Sequence, residues 1–94
     1  MSELYYYTKG EECKWCVKLD PVWEALISSR DDIKFIKINC LEDEKSMNEE
    51  KTRGMTTVPH IVFVHNNERH IFRGRRTITN INKFINKITN GDLQ

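Results

Sequence analysis

"GEECKWCVKLDPVWEALI", Gly10 to Ile27, decides what kind of chain this is. Two cysteines, Cys13 and Cys16, stand at the head of a long amphipathic run that contains Pro21. Such a pair can clamp a metal, staple a fold or cycle between thiols and a disulfide. Gly10, Glu11 and Glu12 mark an exposed loop just before it, which disfavours two inert buried thiols. The run from Cys13 to about Ser29 predicts a helix with apolar positions at Val17, Leu19, Val22, Trp23, Leu26 and Ile27. Pro21 removes one backbone hydrogen bond and is expected to kink it. The pair then sits at a helix N-terminus, whose partial positive charge and unpaired N–H groups stabilise a thiolate. Two intervening residues bring the sulfurs within reach of each other across one turn. Cys13, at the exposed end, is the candidate nucleophile, and Cys16, one turn in, the candidate resolving thiol. Lys14 adds a cation that favours the thiolate, and Trp15 offers an apolar face to a substrate chain.

The rest of the chain narrows the choice. Ninety-four residues fit one domain, residues 1–94, able to bury roughly 60–65% of its unfolded surface. With 38% hydrophobic and 31% charged residues, the composition is that of a folded globular chain. A net charge of +1 gives no strong field toward nucleic acid or an anionic membrane, and neither is an expected partner. The cluster Arg69, Arg73, Arg75 and Arg76 reads as a solvated hairpin rim. No stretch approaches the roughly 18 apolar residues that span a bilayer. "MSELYYYTKGEE" lacks the basic and aliphatic regions of a secretory leader, and "NGDLQ" is no retention signal. A reducing cytoplasm is therefore expected, where a purely structural disulfide is disfavoured. Zinc is the rival for the pair, but a strong zinc signature has a second close pair of ligands. Only Cys40, His60, His65 and His70 remain, and His60 and His65 fall on opposite faces of one expected strand. No metal site is expected. A redox couple is the favoured reading.

"LYYYT" (Leu4–Thr8) predicts a buried strand, "IKFIKINC" (Ile33–Cys40) a second, and "LEDEKSMNEEKTR" (Leu41–Arg53) a thin surface helix ended by Gly54. "HIVFV", "HNNER" and "HIFRG" predict a hairpin turning at Asn66-Asn67. Thr77 caps a last helix in which Ile78, Ile81, Phe84, Ile85 and Ile88 recur at helical spacing, stopped by Gly91. The order is βαβαββα, whose first βαβ unit implies two parallel strands joined by a right-handed crossover. Cys40, at a strand end, reads as a packing thiol.

Taken together these motifs resemble the thioredoxin-fold oxidoreductases, nearest to the protein disulfide isomerase type of domain. "CKWCVKLDPVWEAL" is similar to that family's C-x-x-C-x-x-L-x-P-x-W-E-x-L, and "IKFIKINC" to its second central strand. "GMTTVPHIVFV" resembles the cis-proline loop and the strand after it, and "FRGRRTITNINKFI" the last strand, glycine, Arg-Thr and final helix. The likeness covers nearly the whole chain. It implies an α/β minimal thioredoxin fold, a four-stranded mixed sheet flanked by three helices. It implies that Cys13 attacks, that Cys16 resolves, and that Pro59 is a cis-proline facing the pair. Val58 would offer backbone hydrogen bonds to an extended substrate, with Gly74 a flat spot at the groove's rim. Lys37 matches the lysine that usually partners a carboxylate beneath the pair, although "LYYYT" carries no acid to fill that place. The N-terminal strand and helix of a full thioredoxin are missing, which leaves glutaredoxin-like length. Trp15 and "TVP" are also glutaredoxin-like, yet that family's glutathione-holding Gly-Gly…Asp is replaced by "FRGRRT".

The expectation is a monomeric thiol–disulfide oxidoreductase, without cofactor, that reduces or exchanges protein disulfides through Cys13-Lys14-Trp15-Cys16. A reducing partner of thioredoxin-reductase or glutathione/glutaredoxin type would restore it. The rivals are a disulfide oxidase or isomerase, and a non-enzymatic module that binds a partner or a metal.

Overall fold

The computed structural model describes residues 2–91, so Asp92 to Gln94, within the "NGDLQ" end, lie outside the described residues. Strand β1 (Glu3–Thr8) runs into a short 3-10 turn, Gly10–Glu12, and then helix α1 (Lys14–Ser29). Strand β2 (Lys34–Asn39), helix α2 (Glu44–Thr52), strands β3 (His60–His65) and β4 (Glu68–Ile71) and helix α3 (Ile78–Thr89) follow. The sheet order is β2-β1-β3-β4, with β1 parallel to β2 and antiparallel to β3. This is the minimal thioredoxin architecture expected from the sequence.

Strand β1 is central and is covered on both faces, so its three tyrosines divide between two cores. Leu4 and Tyr6 pack with Leu19, Trp23 and Leu26 of α1 and with Ile81, Ile85 and Ile88 of α3. Full burial of each such aliphatic side chain contributes roughly 1.5–3 kcal/mol. Tyr7 faces the other way, in a smaller cluster with Cys40, Met55 and Val62, against which Met47 of α2 rests. Asn66 and Asn67 take φ of 52° and 65°, the left-handed pair that a two-residue hairpin turn needs. The Thr77 side chain accepts from the Asn80 N–H and opens α3.

Several sequence expectations need correction. Val17 and Ile27 are 47% and 41% exposed, because only the Cys16, Leu19, Trp23 and Leu26 stripe of α1 meets the sheet. Ile78 is also exposed, at the first turn of α3 ahead of its buried face. Helix α2 starts at Glu44 rather than Leu41, since Asp43 caps it by accepting from the Ser46 N–H. It is not a plain surface helix either, because Glu50 is fully buried. Arg69 is not simple rim: its guanidinium donates to Glu50 from β4.

Candidate active site

Gly10 lets the chain turn from β1 into the cysteine pair. Its φ is +63°, and an added Cβ would meet the Asn39 side chain at 3.3 Å. The Thr8 hydroxyl accepts from the Gly10 N–H at 2.9 Å, and the Cys13 N–H returns to the Gly10 carbonyl at 3.1 Å. Cys13 thereby becomes the N-cap of α1, one residue ahead of the helix proper. Its sulfur accepts from the Cys16 N–H at 3.1 Å, so a free helix N–H is spent on the sulfur itself. The sulfurs of Cys13 and Cys16 are bonded, with Cα atoms 5.1 Å apart. Cys13 is half-buried and Cys16 wholly buried, so a partner can approach only the first.

Beneath the pair, the Tyr6 hydroxyl donates to the Cys16 carbonyl at 3.0 Å and to Asp20 Oδ1 at 2.9 Å. Burial pushes the Tyr6 phenol up to about 12, so it stays a donor at any ordinary pH. Lys37 reaches across from β2, its Nζ 3.4 Å from Asp20 Oδ1 and 5.5 Å from the Tyr6 ring centre. The carboxylate that the lysine implied is thus present, but it comes from α1 rather than from β1. Asp20 lies one turn beyond Cys16 and immediately before Pro21. Lys37 on an edge strand and a carboxylate four residues after Cys16 were the available clue.

The remaining candidates separate into neighbouring clefts. Trp15, 59% exposed, lines a cleft of about 360 Å³ with Lys18, Leu19, Arg75, Arg76 and Thr77. Lys18 holds its Nζ 4.6 Å from the Trp15 ring centre. Pro59 and Gly74 line a second cleft of about 220 Å³, together with Arg73 and Arg76. The Val58–Pro59 bond is cis. Gly74 has φ +134°, a conformation that side chains strain to adopt. Arg76 belongs to both clefts and donates to the Pro59 carbonyl at 3.4 Å. Val58 is half-buried, its carbonyl accepts from the Thr57 hydroxyl at 3.2 Å, and it lines a third cleft with Lys9. Lys14 is exposed and lines none of these clefts. Among the described residues no group of three His, Cys, Asp or Glu side chains is placed to hold a metal ion.

On the far face, Glu50 accepts from the Tyr7 hydroxyl at 3.3 Å, from His60 Nε2 at 3.0 Å and from Arg69, with Arg53 3.9 Å away. His60 of this network immediately follows Pro59 in the chain, and in "MNEEKTR" only Met47, packed on the far-face cluster, hinted at it. The Cys40 thiol is buried beside it, and desolvation raises its pKa, which disfavours the thiolate.

A βαβαββα sheet with a bonded CxxC at the first turn of α1 and a cis-proline before β3 defines a class of fold. Residues 5–87 match the thioredoxin family, and the chain belongs to it. Among solved structures, it is similar to the J-Trx1 fragment of ERdj5, with TM-score 0.78 and 16% identity over 92% of this chain and 40% of that one. The first two thioredoxin domains of Naumovozyma dairenensis Eps1p give TM-score 0.76 and 22% identity over 92% of this chain and 34% of theirs. The first thioredoxin domain of mouse protein disulfide-isomerase A4 gives 0.75 and 18% over 93% and 62%. The chain thus spans 34–62% of the length of these structures, and at such identities the likeness is one of fold. No curated protein matches the chain. A thioredoxin-family domain with a Cys13–Cys16 disulfide is equipped for thiol–disulfide redox chemistry.

Proposed function

We propose that this chain is a thiol–disulfide oxidoreductase that reduces protein disulfides, with Cys13 as attacking and Cys16 as resolving thiol. The observation that carries it is the asymmetry of the pair: Cys13 caps α1 and is partly open, while Cys16 is sealed beneath it. In the reduced protein the Cys13 thiolate attacks one sulfur of a substrate disulfide. A Cys13–substrate bond forms, and the other substrate sulfur leaves as a thiolate and takes a proton. The Cys16 thiolate then attacks the Cys13 sulfur, the Cys13–Cys16 bond forms, and the second substrate thiolate departs. Two electrons pass from the pair to the substrate, so a reducing partner must restore the dithiol. Trp15, Val58, Pro59 and Gly74 would form the substrate rim, with Lys14 favouring the Cys13 thiolate. A reducing, cytoplasmic setting and a monomer fit this role.

Direction is set by the reduction potential. A reductase must lie near or below the cytosolic poise, roughly −220 to −320 mV, whereas an oxidase or isomerase lies nearer roughly −180 to −120 mV. Equilibration against glutathione measures it, and a value in the upper range would reassign the chain as an oxidant. The roles are tested by trapping. Cys16→Ser should accumulate substrates as mixed disulfides and Cys13→Ser should not; equal trapping by both would remove the directional mechanism.

A further inference from the structure

The net charge of +1 hides a segregation of charge around the candidate site. Lys18, Arg75 and Arg76 line the Trp15 cleft, and Arg73 joins Arg76 in the cleft of Pro59 and Gly74. A further cleft, lined by Phe72 and Phe84, adds Lys83 and Lys87. No carboxylate lines any of the three. Elsewhere several cations find acids: Arg30 with Asp32, Lys37 with Asp20, Arg53 and Arg69 with Glu50. Among the described residues, none of the six cleft cations pairs with a carboxylate. Like charges gathered together without carboxylate partners attract and hold an oppositely charged ligand. Next to them, the exposed Trp15 gives an apolar step two residues from Cys13, suited to a polypeptide that must bring a sulfur there.

We propose that this face selects protein disulfides whose cysteine is flanked by acidic residues. The flanking carboxylates dock on Lys18, Arg75 and Arg76 while a neighbouring side chain rests on Trp15. The inference rests on the disulfide-exchange reading above and specifies the substrate class of that same site. It concerns which disulfide is taken, not how it is cleaved.

Three peptides with one internal disulfide, identical except for Glu, Gln or Lys beside the reactive cysteine, test it. The reduced protein is mixed with each, and the second-order rate of thiol release is read at low and high salt. The expected order is Glu over Gln over Lys, with about tenfold between the extremes at low ionic strength. The spread should shrink to about threefold or less near 0.5 M salt, where screening shortens the reach of the charges. Lys18→Glu with Arg75→Glu, both at exposed positions, should invert the order. Lys45→Glu, exposed on α2, should keep it. Equal rates on the three peptides overturn the inference and leave the exchange activity standing. No exchange with any peptide overturns that underlying reading, and the inference with it. An order that survives the double substitution places selectivity elsewhere and also overturns it. So does a single-stranded oligonucleotide that inhibits exchange more strongly than the oxidised Glu peptide does.

Discussion

Tyr6 and Tyr7 are neighbours on β1, face opposite sides of the sheet, and each donates to a carboxylate. Burial pushes both phenols up to about 12. Their surroundings nonetheless differ in kind. Tyr6 meets Asp20, which is 39% exposed, pairs with Lys37, and shares the Tyr6 hydroxyl with the Cys16 backbone. Tyr7 meets Glu50, which is wholly buried and is also held by His60 and Arg69. A carboxylate removed from water is tolerated only when its oxygens are fully partnered, and Glu50 is. The same residue pair therefore builds a solvent-linked carboxylate beneath the cysteines and, on the other face, a sealed tie between α2, β3 and β4. Burial of the acceptor makes that difference.

The sharpest way to break the comparison is to neutralise the two carboxylates in turn. Glu50→Gln keeps the volume but leaves Arg69 without its buried partner. Removing one member of such a pair costs roughly 3 kcal/mol or more, and a urea denaturation curve should show it as a lower midpoint with an unchanged slope. A loss below about 1 kcal/mol would mean the far-face network is not holding the elements together.

Alkaline pH tests the tyrosines themselves. Both have folded pKa values raised above the ordinary 10, so the folded state holds their protons more tightly than the unfolded chain does. That contribution is complete below about pH 10 and is lost as pH rises from about 10 to about 12. Stability should fall by on the order of 1.4 kcal/mol per pH unit for each tyrosine across that window. Tyr6→Phe and Tyr7→Phe should each flatten the decline. A decline unaffected by either would show that other groups drive it.

The two sides were unequally legible in the sequence. The hairpin was readable because Asn66-Asn67 is a local demand for positive φ, and α3 because its isoleucines repeat at a period that only a helix matches. The cysteine pair was readable because a helix start is announced within a few residues. Glu50 was not. It stands among Glu42, Asp43, Glu44 and Glu49, all exposed, and its burial is set by Tyr7, His60 and Arg69 from distant segments. Met47, three residues earlier on the same helix face and resting on the far-face cluster, was the faint clue. Asp20 was hidden for a different reason, since the resemblance places the acid on β1. The strand instead supplies a tyrosine whose hydroxyl reaches back to α1.

Thiol accessibility sharpens the same division. In the reduced native protein, alkylation at neutral pH should mark Cys13 first and Cys16 far more slowly. Cys40 should react only on unfolding, because it is buried on the Glu50 face and desolvation raises its pKa. Peptide mapping after a brief exposure reads the order. Early labelling of Cys16 would refute the role assignment, and early labelling of Cys40 would show that the far face opens.

The smallest expected change in stability is at Asp20, and it completes the contrast. Asp20→Asn keeps an oxygen for the Tyr6 hydroxyl and removes only the charge facing Lys37. That pair is 3.4 Å apart with both side chains over a third exposed, so solvent screens most of it. Its loss should cost less than about 1 kcal/mol, well under the cost of Glu50→Gln. The two variants should differ in the opposite sense in exchange. Asp20 shares the Tyr6 hydroxyl with Cys16, so a change there alters the polar surroundings of the resolving step, while Glu50 touches neither cysteine. Single-turnover release of a mixed disulfide should therefore slow several-fold in Asp20→Asn and stay near the parent rate in folded Glu50→Gln. If Asp20→Asn proved as destabilising as Glu50→Gln and left release untouched, the two tyrosine–carboxylate pairs would be structural ties alike.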